Sequence, residues 1–172
     1  LVHYRLLRST RRPKPSKVRQ AIGEAGERAN LVAQLEEIEH FQVTYTDFTE
    51  VLYANGQRKG HLMSIIGHVC KMVYGWAVGE RADSTLALQA WQRAKETFRQ
   101  MNILEEGMIL HQDQDSVFTG YAWTGRLLLE DGVRLSYTLQ GFKDNPEMEA
   151  FFSRFKEEGR SLFLDAPNIA EL

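Results

Sequence analysis

At 172 residues, 43% hydrophobic and 26% charged, the chain has the make-up of one globular domain with a proper core and is too short for two large ones. No stretch approaches the roughly 18 apolar residues of a membrane span, and no charged-then-apolar signal segment opens the chain, so a cytoplasmic protein with no membrane partner is expected. The formal charge of −2 hides a gradient: residues 1–20 hold seven Lys/Arg and no Asp/Glu, residues 21–40 one Arg and five Glu, and the totals of 21 and 23 leave 13 basic against 18 acidic residues beyond.

The first segment, "YRLLRSTRRPKPSKVR", is therefore a basic arm, broken by Pro13 and Pro15. Such arms hold phosphate backbones by counterion release, or are simply solvated tails. From Lys17 to Glu39 the apolar positions Val18, Ile22, Ala25, Ala29, Val32, Leu35 and Ile38 hint at a helical period that Gly23 and Gly26 weaken. Residues 1–40 are read as an arm and a partly helical linker, and 41–172 as the main domain. The chain opens without Met and is expected to be a piece of something longer.

From residue 41 the texture changes. "FQVTYTDFTEVLY" alternates and is rich in β-branched and aromatic residues; "GHLMSIIGHV" follows the turn-forming Asn55-Gly56, and "KMVYGWAVG" comes directly after. These spacings predict a three-stranded antiparallel meander. The lone Cys70 excludes an internal disulfide and a Cys-cluster zinc site, and its apolar neighbours predict a buried small hydrophobe. "STLALQAWQRAKETFRQM" predicts a long helix, and "GMILHQD" a short strand buried on both faces, centrally placed beside the first. A helix at "YAWTGRLLLEDG", a strand at "VRLSY", a loop "TLQGFKDN" and a helix from Pro146 complete an α/β sheet with helices packed on it. In that last helix Met148, Phe151, Phe152 and Phe155 fall at i, i+3, i+4 and i+7, a buried stripe.

Three carboxylates stand out against this pattern. Asp47 lies inside the first strand, where aspartate is depleted; it either faces water at an edge or serves a site. Asp113 ends the central strand, where ligands bind in open sheets but where helix-capping aspartates also live. Glu149 shares a helix face with Asn145 and Lys156 beside the aromatic stripe, and alone it reads as a solvated charge. Together the three acids would repel and rise in pKa unless a cation neutralised them. Oxygen-rich sites of this kind suit Mg²⁺ or Mn²⁺, and two such ions about 4 Å apart serve phosphoryl transfer on nucleic acid.

At these residues a family resemblance emerges. "TYTDFTE", "LHQDQDSVFTGYAW" and "LSYTLQGFKDNPEMEAFFSRFKEE" resemble the three blocks of the DDE transposases of bacterial insertion sequences, whose core is similar to that of retroviral integrases; the 35 residues between Asp113 and Glu149 equal that group's spacing. The resemblance implies a ribonuclease-H-like fold and catalytic, metal-binding Asp47, Asp113 and Glu149, with two Mg²⁺ or Mn²⁺ ions per site when DNA is bound. It also implies DNA strand cleavage by an activated water, then attack of the freed 3′-hydroxyl on target DNA, in a homo-oligomer on DNA at the nucleoid. Lys156 matches a position that approaches the DNA backbone, or is a helix Lys reaching for solvent. Lys143 and Asn145 border a loop around Gly141 that would cover DNA, although capping alone would explain Asn145, and capping is the stronger reading of Asp115. Thr44 and Gly67 stand where many relatives have Trp and Asp, and the tail after "LDAPNIAEL" is shorter than usual, so a truncated core is expected. The competing expectation is an inactive remnant that binds DNA or a partner.

Overall fold

The computed structural model describes residues 15–139 and 145–172. Strands β1 (Val43–Tyr53), β2 (Arg58–Gly67) and β3 (Val73–Gly79) form the expected antiparallel meander. The Asn55-Gly56 turn is made as its residues demand: Ala54, Asn55 and Gly56 all take positive φ (49°, 55° and 80°), and Gly56 N–H donates to Tyr53 O. After α2 (Ser84–Gln100), β4 (Ile109–Gln112) pairs in parallel with β1, and β5 (Arg134–Tyr137) pairs in parallel with β4, giving the sheet order β3-β2-β1-β4-β5. The α4 helix (Pro146–Asp165) closes the chain.

Alternation along the strands sorts the core into two faces. Met63, Ile65, Tyr74, Ala77 and Leu110 meet α2 through Ala87, Ala90, Trp91, Ala94 and Phe98. Val43, Tyr45, Val51, Leu62, Ile66 and Ile109 meet Met148 and Phe152 of α4. β4 sends Ile109 to one cluster and Leu110 to the other, so its apolar run is buried on both faces as expected. The alanines of α2 let it approach very closely: a Cβ at Gly75 of β3 would lie 2.4 Å from Ala90 O and Ala94 N. Asp83 caps α2, its carboxylate accepting from Leu86 N–H (3.0 Å).

Three expectations need revision. The helix expected at "YAWTGRLLLEDG" is one α-helical turn, α3 (Tyr121–Thr124), running into a π-helical stretch at Gly125–Glu130. Asp131, its side chain only 5% exposed, accepts from Trp91 Nε1 (2.7 Å), Lys95 Nζ and Arg126 Nε (3.1 Å), which ties the end of this stretch to α2. Cys70 is exposed, because it sits in the β2–β3 turn and not in a strand; its Sγ lies 3.1 Å from Tyr74 OH. The same pair explains Gly67, where a Cβ would meet Cys70 Sγ and Tyr74 OH within 2.8 Å and leave no room for an aspartate. In α4, Met148 and Phe152 are buried while Phe151 and Phe155 pack half-buried at the edge of the core, so the aromatic stripe is only partly enclosed.

The segment before the sheet packs against it. α1 (Lys17–Ala25) stops at Gly26 (φ 56°) and buries Ile22 on the α2 side. Leu31, Val32, Leu35 and Ile38 pack on the α4 side. Between them the chain rounds β5, where Leu31 and Val32 N–H donate to Ser136 Oγ (2.9 and 3.3 Å).

Candidate active site

Parallel pairing sets Tyr45 against His111, so the same register carried on by two residues brings Asp47 opposite Asp113. Both fall on the parity of Val43, Tyr45 and Ile109, the side of the sheet that α4 covers. Pro146 begins that helix, buried Met148 packs its first turn on the sheet, and Glu147 holds it there by an ion pair to Lys71 (2.5 Å) and a 3.8 Å approach to His68. Glu149 follows in this turn, exposed, where negative charge suits the helix N-terminus.

The carboxylates feel one another. Burial first, then the charges of Asp113, Asp115 and Glu149, push Asp47 up to about 7, against the opposing hydrogen bond that its Oδ1 accepts from Phe48 N–H (2.7 Å). Burial also raises Asp113, with the charge of Asp115 adding to it, while Asp115 N–H (2.8 Å to Oδ1) and the charge of Arg19 hold it down. Asp115 itself orders the turn after β4: its Oδ1 accepts from Val117 N–H (2.8 Å) and its carbonyl from Thr119 N–H (3.0 Å). That is the capping type of role expected from the sequence, here in a turn.

Asp47 and Asp113 suit a hard divalent cation as donors: one carboxylate is in β1 and the other directly follows β4, its parallel neighbour, and each is driven toward its neutral form by surroundings that positive charge would relieve. Glu149 acts on Asp47 without completing a trio. Among the described residues no group of three His, Cys, Asp or Glu side chains is close enough to hold a metal ion.

The other candidates lie at different depths. Asn145 is 3% exposed; its Nδ2 donates to Thr46 O (3.4 Å), its Oδ1 has no partner among the described residues, and its side chain does not cap α4. It therefore stitches α4 to the strand residue just before Asp47. Lys156 is exposed two turns beyond Glu149, in a groove lined also by Glu50, Lys59 and Arg160. Lys143 lies outside the described residues. Arg19 was missed by the sequence reading, which treated it as one more charge of the arm; it lines a polar pocket with Asp113, Gln114, Asp115, Ser116 and Thr138. Nothing in its local sequence marks it, since its place depends on where α1 docks.

No protein-family profile matches the chain, and no curated protein matches it in sequence. Solved structures do match. The catalytic domain of Mos1 mariner transposase aligns with a TM-score of 0.58 at 13% identity, over 73% of this chain and 63% of that one. A chain of the simian T-cell lymphotropic virus intasome, determined with PP2A regulatory subunit B56 gamma, aligns with a TM-score of 0.50 at 10% identity over 74% of this chain and 45% of that one. The HTLV-2 integrase catalytic core, determined with magnesium, aligns at 0.49 and 11% identity over 74% and 79%. The five-stranded mixed sheet with its packed helices is thus the ribonuclease-H-like fold of transposase and integrase catalytic cores.

Proposed function

We propose that this chain is the catalytic core of a DNA transposase, cutting and joining DNA strands with divalent metal ions. The observation that carries the reading is the β1–β4 register, which continues to an Asp47–Asp113 pair on the face that α4 covers, with the charge of Glu149 reaching Asp47. Asp47 and Asp113 would hold Mg²⁺ or Mn²⁺, and Glu149 would join them once DNA is bound. The ions would supply positive charge to the attacking and leaving oxygens of a phosphodiester. The chain's own part is to orient. The parallel β1–β4 pairing holds Asp47 and the approach to Asp113, the Asp115 turn holds the backbone after Asp113, and Asn145 ties α4 to Thr46. Lys156, Lys143 and Asn145 are proposed at the DNA, Asn145 by holding the helix in place. A multimer of this chain on DNA is part of the proposal, since joining requires two element ends to be held at once.

The second reading, a DNA- or partner-binding module without chemistry, draws on the lack of a three-ligand cluster among the described residues. Incubation with Mn²⁺ and duplexes drawn from the DNA on either side of the coding region separates the two. A transposase core nicks the end sequence, joins a pre-cut 3′-hydroxyl end to target DNA, and loses both reactions on Asp47→Asn or Asp113→Asn. Retained DNA affinity with no cleavage by the unaltered chain would leave the binding module. Cleavage without joining would mean a nuclease.

A further inference from the structure

The basic arm ends on the candidate site. Ser16 Oγ caps α1 by accepting from Arg19 N–H (3.1 Å) and donates to Thr119 O (3.1 Å), in the turn that Asp115 orders after β4. Ile22 and Val18 fix the other side of the helix in the core. This double attachment sets Arg19 in the lining of the pocket that contains Asp113 and Asp115. The guanidinium is near enough for Asp113 to feel its charge, yet it is exposed and makes no ion pair or side-chain hydrogen bond among the described residues. A cation in that state is free for an anion.

Thr138, 1% exposed, lines the same pocket, and among the described residues its Oγ1 has no hydrogen-bond partner. Asp113 and Asp115 would repel a phosphate approaching the end of β4, and Arg19 is the opposing charge of that lining. The five Lys/Arg of residues 1–14, directly upstream in sequence, favour a polyanion over a single phosphate.

Resting on the proposed function, we infer that Arg19 is a positioning residue, gripping a backbone phosphate of the DNA strand where it passes Asp113. It sets the strand's register over the carboxylates and has no part in the chemical step.

The test uses the full chain, with a fluorescein-labelled duplex of arbitrary sequence in chelator, so that no turnover is needed. Affinity is measured by anisotropy across salt concentration for the unaltered chain and for Arg19→Ala, Arg19→Gln and Arg19→Lys. One lost phosphate contact lowers the slope of log affinity against log salt by about 0.9. Arg19→Ala and Arg19→Gln show that drop with unchanged melting temperature, and Arg19→Lys keeps the slope. Unchanged slopes in Ala and Gln, or a loss that Lys does not restore, overturn the inference. Inorganic phosphate displacing DNA better than chloride of equal ionic strength would also overturn it, because free phosphate would then be the ligand. Under Mn²⁺, Arg19→Ala raises KM for cleavage several-fold with little change in kcat. A chain that binds through Arg19 but never cleaves refutes the proposed chemistry and leaves this inference standing, while a chain that cleaves with unaltered slopes does the reverse.

Discussion

Asp47 is a carboxylate that its surroundings penalise. It is half-buried beside Asp113, with Asp115 and Glu149 adding negative potential, and the Phe48 N–H compensates it locally. Such an arrangement costs the fold stability unless positive charge arrives, and the cost is removed by anything that cancels the charge. In chelator at neutral pH, Asp47→Asn is therefore expected to melt above the unaltered chain, by an amount on the order of 1 kcal/mol, because the amide oxygen still accepts from Phe48. Adding Mg²⁺ or Mn²⁺ reverses the ranking: the unaltered chain gains stability by mass action and the variant does not. Thermal unfolding with and without the ion reads both halves. Equal shifts in the two proteins would remove Asp47 from the metal site.

Among the elements, the π-helical stretch Gly125–Glu130 shows how a tertiary contact overrides a local pattern. A regular helix through "YAWTGRLLLEDG" suits its side chains, but Asp131 sits where Trp91 and Lys95 of α2 can reach it. The wider turns of a π-helix are the local form that accompanies this anchoring. Burial alone would raise the Asp131 carboxyl; the hydrogen bonds from Lys95, Trp91 and Arg126 outweigh it and hold the group below its ordinary value of 3.8. A depressed carboxylate contributes stability that is complete above its unfolded pKa and is lost as pH falls through the folded one. Acid unfolding of the unaltered chain is thus expected to steepen below about pH 4. Asp131→Asn should flatten that limb and cost about 2–3 kcal/mol at neutral pH, since Lys95 and Arg126 lose the carboxylate they share and Lys95 keeps only Glu105, at 3.8 Å. Urea unfolding between pH 3 and 7 checks it.

For the molecule as a whole, the segment before the sheet is part of the packing. It passes from the α2 face to the α4 face around β5, and at the far end of the sheet the β1–β2 turn is held by α4, with Ala54 N–H donating to Ala166 O and Asn55 N–H to Leu164 O. The α1 segment and α4 therefore both pack on the sheet. Truncating Ile22 to Ala removes the main anchor of α1 and should cost about 2–4 kcal/mol. If α1 docks as an integral part, global unfolding shifts by that amount. If it were a separable linker, limited proteolysis after residue 17 would accelerate with no change in the unfolding midpoint.

Period and turn chemistry were legible in the sequence, because a meander, an amphipathic α2 and an Asn-Gly hairpin are specified by neighbours a few residues apart. The 35-residue spacing from Asp113 to Glu149 was legible as well, since it is a property of the chain and not of its folding. Cys70, Arg19 and Asn145 were not. Whether a turn thiol is covered, which carboxylate an arginine stands beside, and where a buried amide points depend on elements up to about a hundred residues away, as with Asn145 and Thr46 or Ser16 and Thr119. The sequence by itself determined the meander, α2, α4, a central strand beside the first and the three acidic positions; only tertiary packing decided the π-helical turn after α3 and the parallel β1–β4 register that, carried on by two residues, sets Asp47 opposite Asp113, because both depend on burial against elements distant in the chain.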